Sequence, residues 1–173
     1  MAAGVTRVTH AVDFEEFYQG SRHRVVTFLY ALTSDRGEAQ DVAQEAYARA
    51  WQNWSRVASY EDPEAWVRMV AYRLAMNVWR KATNRFRAYR RHGTGPDVEP
   101  PGETTLVVRA ALRDLPEHER LVVVMHYVLD LPVAEISRQT GLPANTVKTR
   151  LARGRRRLAS LMNIDLAEEG TRA

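Results

Sequence analysis

The chain has 173 residues, a formal net charge of +4, a sequence pI near 9.7 and no cysteine, which excludes disulfides, thiolate zinc sites and a thiol redox switch of its own. Its five histidines show no metal-ligand spacing, so we expect neither a metal nor a cofactor. No apolar run reaches membrane-spanning length and the amino terminus lacks a signal-peptide pattern, so a cytoplasmic protein is predicted.

The helical patterns of the chain fall into two groups, which predicts an all-α protein of two small helical domains joined by a flexible linker. Residues 1–12 are expected to be a flexible tail, and the first domain is predicted over 13–91. It should contain a helix over about 14–32, a second over about 37–54, a loop through 60–63 and a long third helix.

The second predicted helix carries a polar triplet of Asp41, Gln44 and Glu45 within about one helical turn. These three side chains can therefore face one protein partner, while Val42 and Ala46 can face the domain core. The alternative is a solvated acidic helix face without a partner.

The third predicted helix, over 64–91, is basic and aromatic together, with no acidic residue between Ala65 and Pro96. Its cationic residues are Arg68, Arg73, Arg80, Lys81, Arg85, Arg87, Arg90 and Arg91, and the interleaved aromatic residues are Trp66, Tyr72, Trp79, Phe86 and Tyr89. Guanidinium groups hold phosphates and aromatic faces stack on unpaired bases, so this composition suits the opening of a duplex.

The alternative for these aromatic residues is that they belong to the domain core. Trp66 is assigned to the core because it aligns with Val70 and Leu74 on one stripe of the helix. For Tyr72 and Trp79 both interpretations stay open.

Residues 92–104 are rich in glycine and proline and are predicted to be a linker. They contain Asp97, Glu99 and Glu103 but no lysine or arginine. About thirteen extended residues could span roughly 40 Å. One interpretation is that the acidic side chains keep a disordered tether soluble. The alternative is that they draw the strand into channels of a partner that are lined to attract phosphates.

The second domain is predicted over 105–162, with a flexible tail over 163–173. Its helices are predicted near 105–113, 117–128, 133–140 and 144–161.

The last two of these helices form a helix-turn-helix pattern, in which the second helix would lie in the DNA major groove. Gly141 can take a positive φ at the turn, Pro143 stands where a first-turn proline is tolerated, and Ile136 should face a core. The predicted buried stripe of the second helix is Val147, Leu151, Gly154, Leu158 and Leu161. Lys148, Thr149, Arg153 and Arg156 lie off that stripe, and no acidic residue occurs between Glu135 and Asp165. An ordinary solvated helix would normally mix both signs of charge.

The second domain resembles region 4 of the extracytoplasmic-function (ECF) sigma factors of the sigma-70 family. The motifs that carry the resemblance are L-P-x-x-x-R at Leu115, Pro116 and Arg120, A-E-I at 134–136, and T-V-K-T-R at 146–150. The first domain is similar to the same family, because Asp41, Gln44 and Glu45 match D-x-x-Q-E of region 2.2 and residues 64–91 resemble regions 2.3 and 2.4.

The resemblance implies an RNA polymerase sigma factor that directs promoter-specific initiation and has no catalytic site of its own. Its first domain would bind the β′ clamp helices of core RNA polymerase through Asp41, Gln44 and Glu45, and its second domain would bind the β flap. The free protein would be a monomer, and an anti-sigma factor is a further partner that the resemblance allows.

By position in the family's motifs, two sets of DNA contacts are implied. The minus-10 set, which would also hold the melted non-template strand, is Tyr72, Arg73, Asn77, Trp79 and Arg80. The minus-35 set is Asn145, Lys148, Thr149, Arg150, Ala152, Arg153 and Arg156.

The sequence departs from the family at four positions. Arg73 stands where members often carry asparagine in a flipped-base pocket, and Asn77 replaces a common aspartate, so the family's minus-10 base preference is not transferred to this chain. Pro132 and Pro143 stand where serine often caps the helices.

Two other classes of protein are weighed against this one. An autonomous helix-turn-helix transcription regulator would explain the second domain but neither the polar triplet nor the basic-aromatic helix, and no dimerisation helix is evident. A protein-interaction module without DNA binding is disfavoured by the acid-free basic stretches.

Overall fold

The computed structural model describes the backbone of residues 2–88 and 103–162, and the side chains of 13–79 and 107–162. Every regular element in this part of the chain is an α-helix, which confirms the predicted all-α class. The helices form two compact units, Met1–Arg85 and Phe86–Ala173. The predicted linker residues 92–102 and the predicted tail 163–173 lie outside the described residues.

The first unit contains α1 (Ala2–Thr33), α2 (Arg36–Gln52), α3 (Trp54–Val57) and α4 (Pro63–Ala88). Helix α1 begins well before its predicted start near Phe14, since no proline interrupts the preceding residues. The short helix α3 was not predicted from the sequence. It exists because burial of Trp54 and Val57 stabilises a single turn that would not form alone.

Aspartate caps begin two helices of this unit. Ser34 has a positive φ of 59°, which ends α1, and the Asp35 Oδ1 atom then accepts a hydrogen bond from the Glu38 N–H at 2.8 Å. At the start of α4, Asp62 Oδ1 accepts from the Ala65 N–H at 2.9 Å, and Pro63 occupies the first helical position. Both arrangements satisfy backbone donors that a helix start leaves unpaired.

The core of the first unit lies between α1, α2 and α4. Phe28 and Leu29 of α1 are fully buried, as are Ala46 of α2 and Ala71 of α4. Tyr47 is buried at the edge of this core, where its hydroxyl lies 2.7 Å from the Ser21 hydroxyl, and burial raises the pKa of Tyr47 to about 12.

The predicted buried stripe of α4 was wrong. Trp66, Val70 and Leu74 are only half-buried. The buried face of α4 is formed by Ala65, Val67, Ala71, Ala75 and Met76. Trp66 contacts the Tyr60 ring at a centroid distance of 6.4 Å. Apolar residues surround much of α4, so periodicity alone did not decide which face meets α1 and α2.

The second unit contains α5 (Glu103–Asp114), α6 (Glu117–Tyr127), α7 (Val133–Thr140) and α8 (Ala144–Leu161). Helices α7 and α8 have the predicted bounds. Helix α5 begins at Glu103, so the predicted linker over 92–104 is shorter at its carboxyl end than expected.

Helix α6 is the centre of the second unit. Its residues Leu121 through Met125 are all buried, and Ile136 of α7 and Val147 of α8 are fully buried, as predicted for the last two. Of the other predicted α8 stripe residues, Gly154 is buried, while Leu151 and Leu158 are half-buried. Leu161 does not belong to the buried stripe, because it is the last residue of the helix and remains 46% exposed.

Candidate nucleic-acid interface

The turn between α7 and α8 is held by local hydrogen bonds. Gly141 adopts φ 73° and ψ 8°, and its N–H donates to the Ser137 carbonyl at 2.9 Å. The Ser137 hydroxyl donates to the Leu142 carbonyl at 2.5 Å, and Thr140 Oγ1 accepts from the Leu142 N–H at 3.3 Å. The left-handed conformation of Gly141 thus ends α7. The local hydrogen bonds of the turn then fix the direction in which α8 begins.

Proline occupies the N-cap position of both helices, at Pro132 and Pro143, and neither cap has a side-chain hydrogen bond. The departure from serine at these positions therefore removes the side-chain cap and keeps the helix start. Both helices still begin at the residue that follows the proline.

Helix α8 lies very close to α6 at Gly154. A Cβ atom added to Gly154 would lie 2.5 Å from Val123 Cγ2, which is closer than side chains approach one another. Together with the burial of Val147 and Ala159, this contact fixes which side of α8 faces the core.

The opposite side of α8 carries the predicted minus-35 residues. Of these seven residues, only Arg150 is half-buried, at the flank of the helix. The six exposed residues are Asn145, Lys148, Thr149, Ala152, Arg153 and Arg156. Between described residues, no ion pair involves Lys148, Arg150 or Arg153. This outer face is therefore a cationic surface that the carboxylates of the described residues do not neutralise.

Two other arginines of the acid-free stretch have acidic partners within the unit. Arg138 pairs with Glu135 inside α7. Arg157 Nε lies 2.9 Å from Oε2 of Glu119, a residue of α6 that is only 1% exposed. Sequence reasoning did not single out Glu119, because a glutamate in the first turn of a helix is normally exposed.

On α2, the structure brings Asp41, Gln44 and Glu45 to one exposed side, while Val42 and Ala46 are buried. Glu45 Oε1 lies 2.8 Å from Arg49 Nε, an exposed pair one helical turn apart. The triplet is thus available as a contact surface.

The predicted minus-10 residues of α4 lie in two different environments. Arg73 and Asn77 are exposed, whereas Tyr72 and Trp79 are half-buried. The side chain of Arg80 lies outside the described residues. Within the described part of the helix, only Arg73 and Asn77 of the predicted set therefore form an outward surface.

Trp79 is anchored to α2 through a side-chain hydrogen bond with Glu38. Burial raises the pKa of Glu38, this hydrogen bond opposes the rise, and the nearby Asp35 charge adds to it. Trp79 therefore also holds α4 against α2.

Arg68, which the sequence grouped with the nucleic-acid-binding cations, has a different role. It is 5% exposed, and its Nη2 atom lies 2.9 Å from Glu64 Oε1. Glu64 also binds Arg24 of α1 through both carboxylate oxygens. Arg68 is thus part of an ion-pair network inside the unit and is not free to hold a phosphate.

Among the described residues there is no group of acidic or histidine side chains that could hold a metal ion. The described helices include none that is long and apolar enough to cross a membrane.

Comparisons with known proteins extend over both units. The family description "Sigma-70 region 2" matches residues 17–85, and "Sigma-70, region 4" matches 105–158. SigL of Mycobacterium tuberculosis, an ECF RNA polymerase sigma factor, is 33% identical over 141 residues that cover 75% of this chain and 78% of SigL. The chain belongs to the ECF sigma factors. This assignment removes the autonomous regulator and the pure interaction module as descriptions of its family.

Other ECF sigma factors are similar over most of their length. SigW of Bacillus subtilis is 27% identical over 153 residues, covering 79% of this sigma factor and 82% of SigW. The sigma factor RpoE of Bartonella quintana, solved with the anti-sigma factor NepR, superimposes with a TM-score of 0.75 at 18% identity. That match covers 88% of this sigma factor and 98% of RpoE, and it shows the shared fold.

Proposed function

We propose that this sigma factor binds core RNA polymerase and directs it to promoters whose minus-35 element is read by α8 and whose minus-10 element is opened by α4. The observation that carries the proposal is the cationic outer face of α8, which extends from a helix-turn-helix and in which Lys148, Arg150 and Arg153 pair with no carboxylate of the described residues. Duplex DNA supplies the phosphates and base edges that such a face would bind.

Base reading at the minus-35 element is assigned to Lys148, Thr149 and Arg153. All three are exposed on α8, where long polar side chains can reach base edges in the major groove. Arg150 and Arg156 are assigned to phosphates. Ala152 would contact a thymine methyl group, and Asn145 lies near the amino-terminal end of α8, which enters the groove first.

At the minus-10 element, Arg73 and Asn77 are assigned to base recognition because they are exposed on α4. Tyr72 and Trp79 are assigned to stacking on the unpaired non-template strand. Their partial burial means that each would present one ring edge or face to DNA while the remainder packs on the unit.

The surface for core polymerase is assigned to Asp41, Gln44 and Glu45 on α2, facing the β′ clamp helices, with the second unit on the β flap. Carboxylates pair strongly with arginine-rich partners, which suits two acids on one exposed side. The sigma factor would supply specificity to an enzyme whose catalytic site is elsewhere. An anti-sigma factor is a further proposed partner, on the model of RpoE with NepR.

Run-off transcription tests the proposal as a whole. Purified sigma factor is mixed with core polymerase and a library of genomic fragments. Discrete transcripts that require both components are expected. Operator-like binding of the free chain, with no transcript that depends on it, would instead favour an autonomous regulator.

The assignment of α8 is tested by paired substitutions. Arg153→Ala should cost about 1–3 kcal/mol at the preferred minus-35 sequence, whereas Arg156→Ala should weaken binding to all sequences alike and lower the salt dependence. Binding and transcription that are unchanged by both Lys148→Ala and Arg153→Ala would show that α8 does not read the element.

The assignment of α2 is tested by charge reversal. Asp41→Lys with Glu45→Lys should weaken capture of core polymerase and leave the helical circular dichroism signal intact, because both residues are exposed. Glu15→Lys, at an exposed position of α1, is the matched control. Equal capture of core by the double variant and the control would refute the assignment.

A further inference from the structure

A buried carboxylate lies at the crossing of α6 and α8. Glu119 is 1% exposed, and its Cβ atom would be 3.7 Å from a Cβ added to Gly154 of α8. Such burial is rare for glutamate, because removal of a charge from water is costly unless a partner compensates it. The buried carboxylate of Glu119 therefore needs a compensating partner.

The start of α6 explains why this carboxylate points toward α8. Pro116 is the N-cap residue and Glu119 stands at the third helical position, where a glutamate commonly reaches back to the N-cap N–H. Proline has no N–H, so that partner is missing and the carboxylate can turn elsewhere.

The compensating charge comes from Arg157 of α8, whose Nε atom lies 2.9 Å from Glu119 Oε2. His118, next to Glu119 on α6, has its Nε2 atom 3.9 Å from Glu119 Oε1 and is charged only when protonated. The Oε2 atom accepts no hydrogen bond from a described residue, so its contact with Arg157 is a charge pair without a well-aligned N–H donor. The distance between Glu119 Oε2 and Arg157 Nε therefore depends on the rotation of α8 about its own axis.

We propose that the Glu119–Arg157 pair is a positioning device, which fixes the rotation of α8 about its own axis and thereby aims Lys148, Thr149 and Arg153 at base edges. This inference rests on the proposed minus-35 reading. Gly154 sets how close α8 comes to α6, and the charge pair sets which way the helix is turned. Arg157 is itself 58% exposed and directly follows Arg156, which is assigned to phosphates, but in this proposal its pairing with Glu119 withdraws it from phosphate binding.

The consequence separates sequence discrimination from overall affinity. Loss of the Arg157 charge removes the cation nearest to the buried carboxylate, and we expect α8 to shift in response. The base-reading residues are then misaligned, while the number of phosphate contacts is unchanged. Loss of the Glu119 charge instead releases Arg157 to reach the DNA backbone.

The test uses holoenzyme assembled from core polymerase and the full sigma factor, and a minus-35 duplex selected by that holoenzyme from a random library. Two quantities are measured: the affinity ratio between selected and shuffled duplexes, and the slope of log affinity against log salt. The variants are Arg157→Met, Glu119→Gln and the double variant, with Arg156→Met as the matched control.

Arg157→Met should lower the affinity ratio about tenfold and leave the salt slope unchanged, as expected for misaligned base contacts. Arg156→Met should make the salt slope shallower by about one and leave the affinity ratio unchanged. Glu119→Gln should make the salt slope steeper by about one, because the released Arg157 gains a phosphate contact. The double variant should recover most of the ratio, since no lone charge is then buried.

The inference is overturned if Arg157→Met behaves like Arg156→Met, which would make Arg157 a phosphate contact, or if its ratio stays within about twofold of wild type. Should Arg157→Met lose helical signal, Glu119→Gln, which keeps the side-chain volume, decides by the same slope measurement, and an unchanged slope overturns the inference. A wild-type holoenzyme that selects no minus-35 sequence would refute the proposed function itself, which is a separate outcome.

Discussion

At the scale of single residues, pairing with a carboxylate decides what an arginine does in this sigma factor. Arg68 and Arg73 lie on the same helix, yet Arg68 is buried against Glu64 and Arg73 is exposed. Arg156 and Arg157 are neighbours in sequence, yet only Arg157 pairs with a buried carboxylate. A count of cationic residues therefore overstates the number that can meet DNA.

The stability of the first unit should depend on pH through Glu38. Burial raises the pKa of Glu38 and Trp79 only partly offsets this, so the native state keeps its proton to higher pH than the unfolded chain. Stability is therefore lost as pH rises from about 4, the usual glutamate value, through the higher native value. Glu38→Gln should remove this loss. Urea denaturation of both proteins at several pH values would measure it, and parallel pH profiles would contradict it.

At the scale of elements, the position of α8 depends on a residue without a side chain. Gly154 allows α8 to approach α6 until a Cβ atom would touch Val123, and Val123 is itself buried and β-branched. Neither partner can move aside easily. The proposed DNA-reading surface on the far side of α8 is thus positioned by packing on the near side.

Gly154→Ala should destabilise the second unit by about 1–3 kcal/mol, because the added methyl group overpacks the crossing. Gly20→Ala is the matched control, since an added Cβ there meets nothing within 4 Å, and it should be neutral or stabilising. Thermal unfolding followed by circular dichroism compares the two variants. Similar unfolding of both variants would mean that the crossing can relax around a methyl group.

Helix α4 presents a similar question about Trp79, which either anchors α4 to α2 or stacks on DNA. Trp79→Phe keeps an aromatic ring but removes the indole N–H that bonds Glu38. If stacking is its role, permanganate footprinting should show normal strand opening, with stacking worth roughly 1–3 kcal/mol still present. Trp79→Ala should then lose opening more than initial duplex binding. Equal opening by both variants and wild type would assign Trp79 to packing alone.

At the scale of the whole molecule, α2 and α8 carry surfaces of opposite charge. The exposed side of α2 presents Asp41 and Glu45, whereas the exposed side of α8 presents Lys148, Arg153 and Arg156. In the proposed function each unit meets both partners, because the first would use α2 for polymerase and α4 for the minus-10 element, and the second would use α8 for the minus-35 element and bind the β flap. Two units that fold around their own cores suit a subunit that links an enzyme to a promoter.

The segment between the units is predicted to set their separation along a promoter. Its proline content favours an extended strand of roughly 3 Å per residue. Removal of half of residues 92–102 should abolish transcription at natural promoter spacing while each unit still binds its target. Full activity of the shortened protein in run-off assays would refute the spanning role. Replacement of Asp97 and Glu99 by serine tests the acidic side chains separately from the length. Normal initiation by that variant would mean that these side chains only keep the segment soluble.

The sequence by itself determined the all-α class, the bounds of α7 and α8, and the burial of Ile136 and Val147. Proline, left-handed glycine and helical period act locally, so they can be recognised in the chain without knowledge of its neighbours. The family motifs added the polar triplet and the proposed recognition helix. The triplet's exposed side is also a local consequence of helix geometry.

Only the tertiary structure decided which face of α4 is buried, that Arg68 is withdrawn from solvent, that Trp79 bonds Glu38, and that Glu119 meets Arg157. Each depends on residues brought together from different helices, such as Arg24 of α1 with Glu64 of α4. Charge pairing and burial act through space, so one helix's sequence does not specify them. The side chains that aim the proposed DNA-reading surface were therefore found only once the helices were packed.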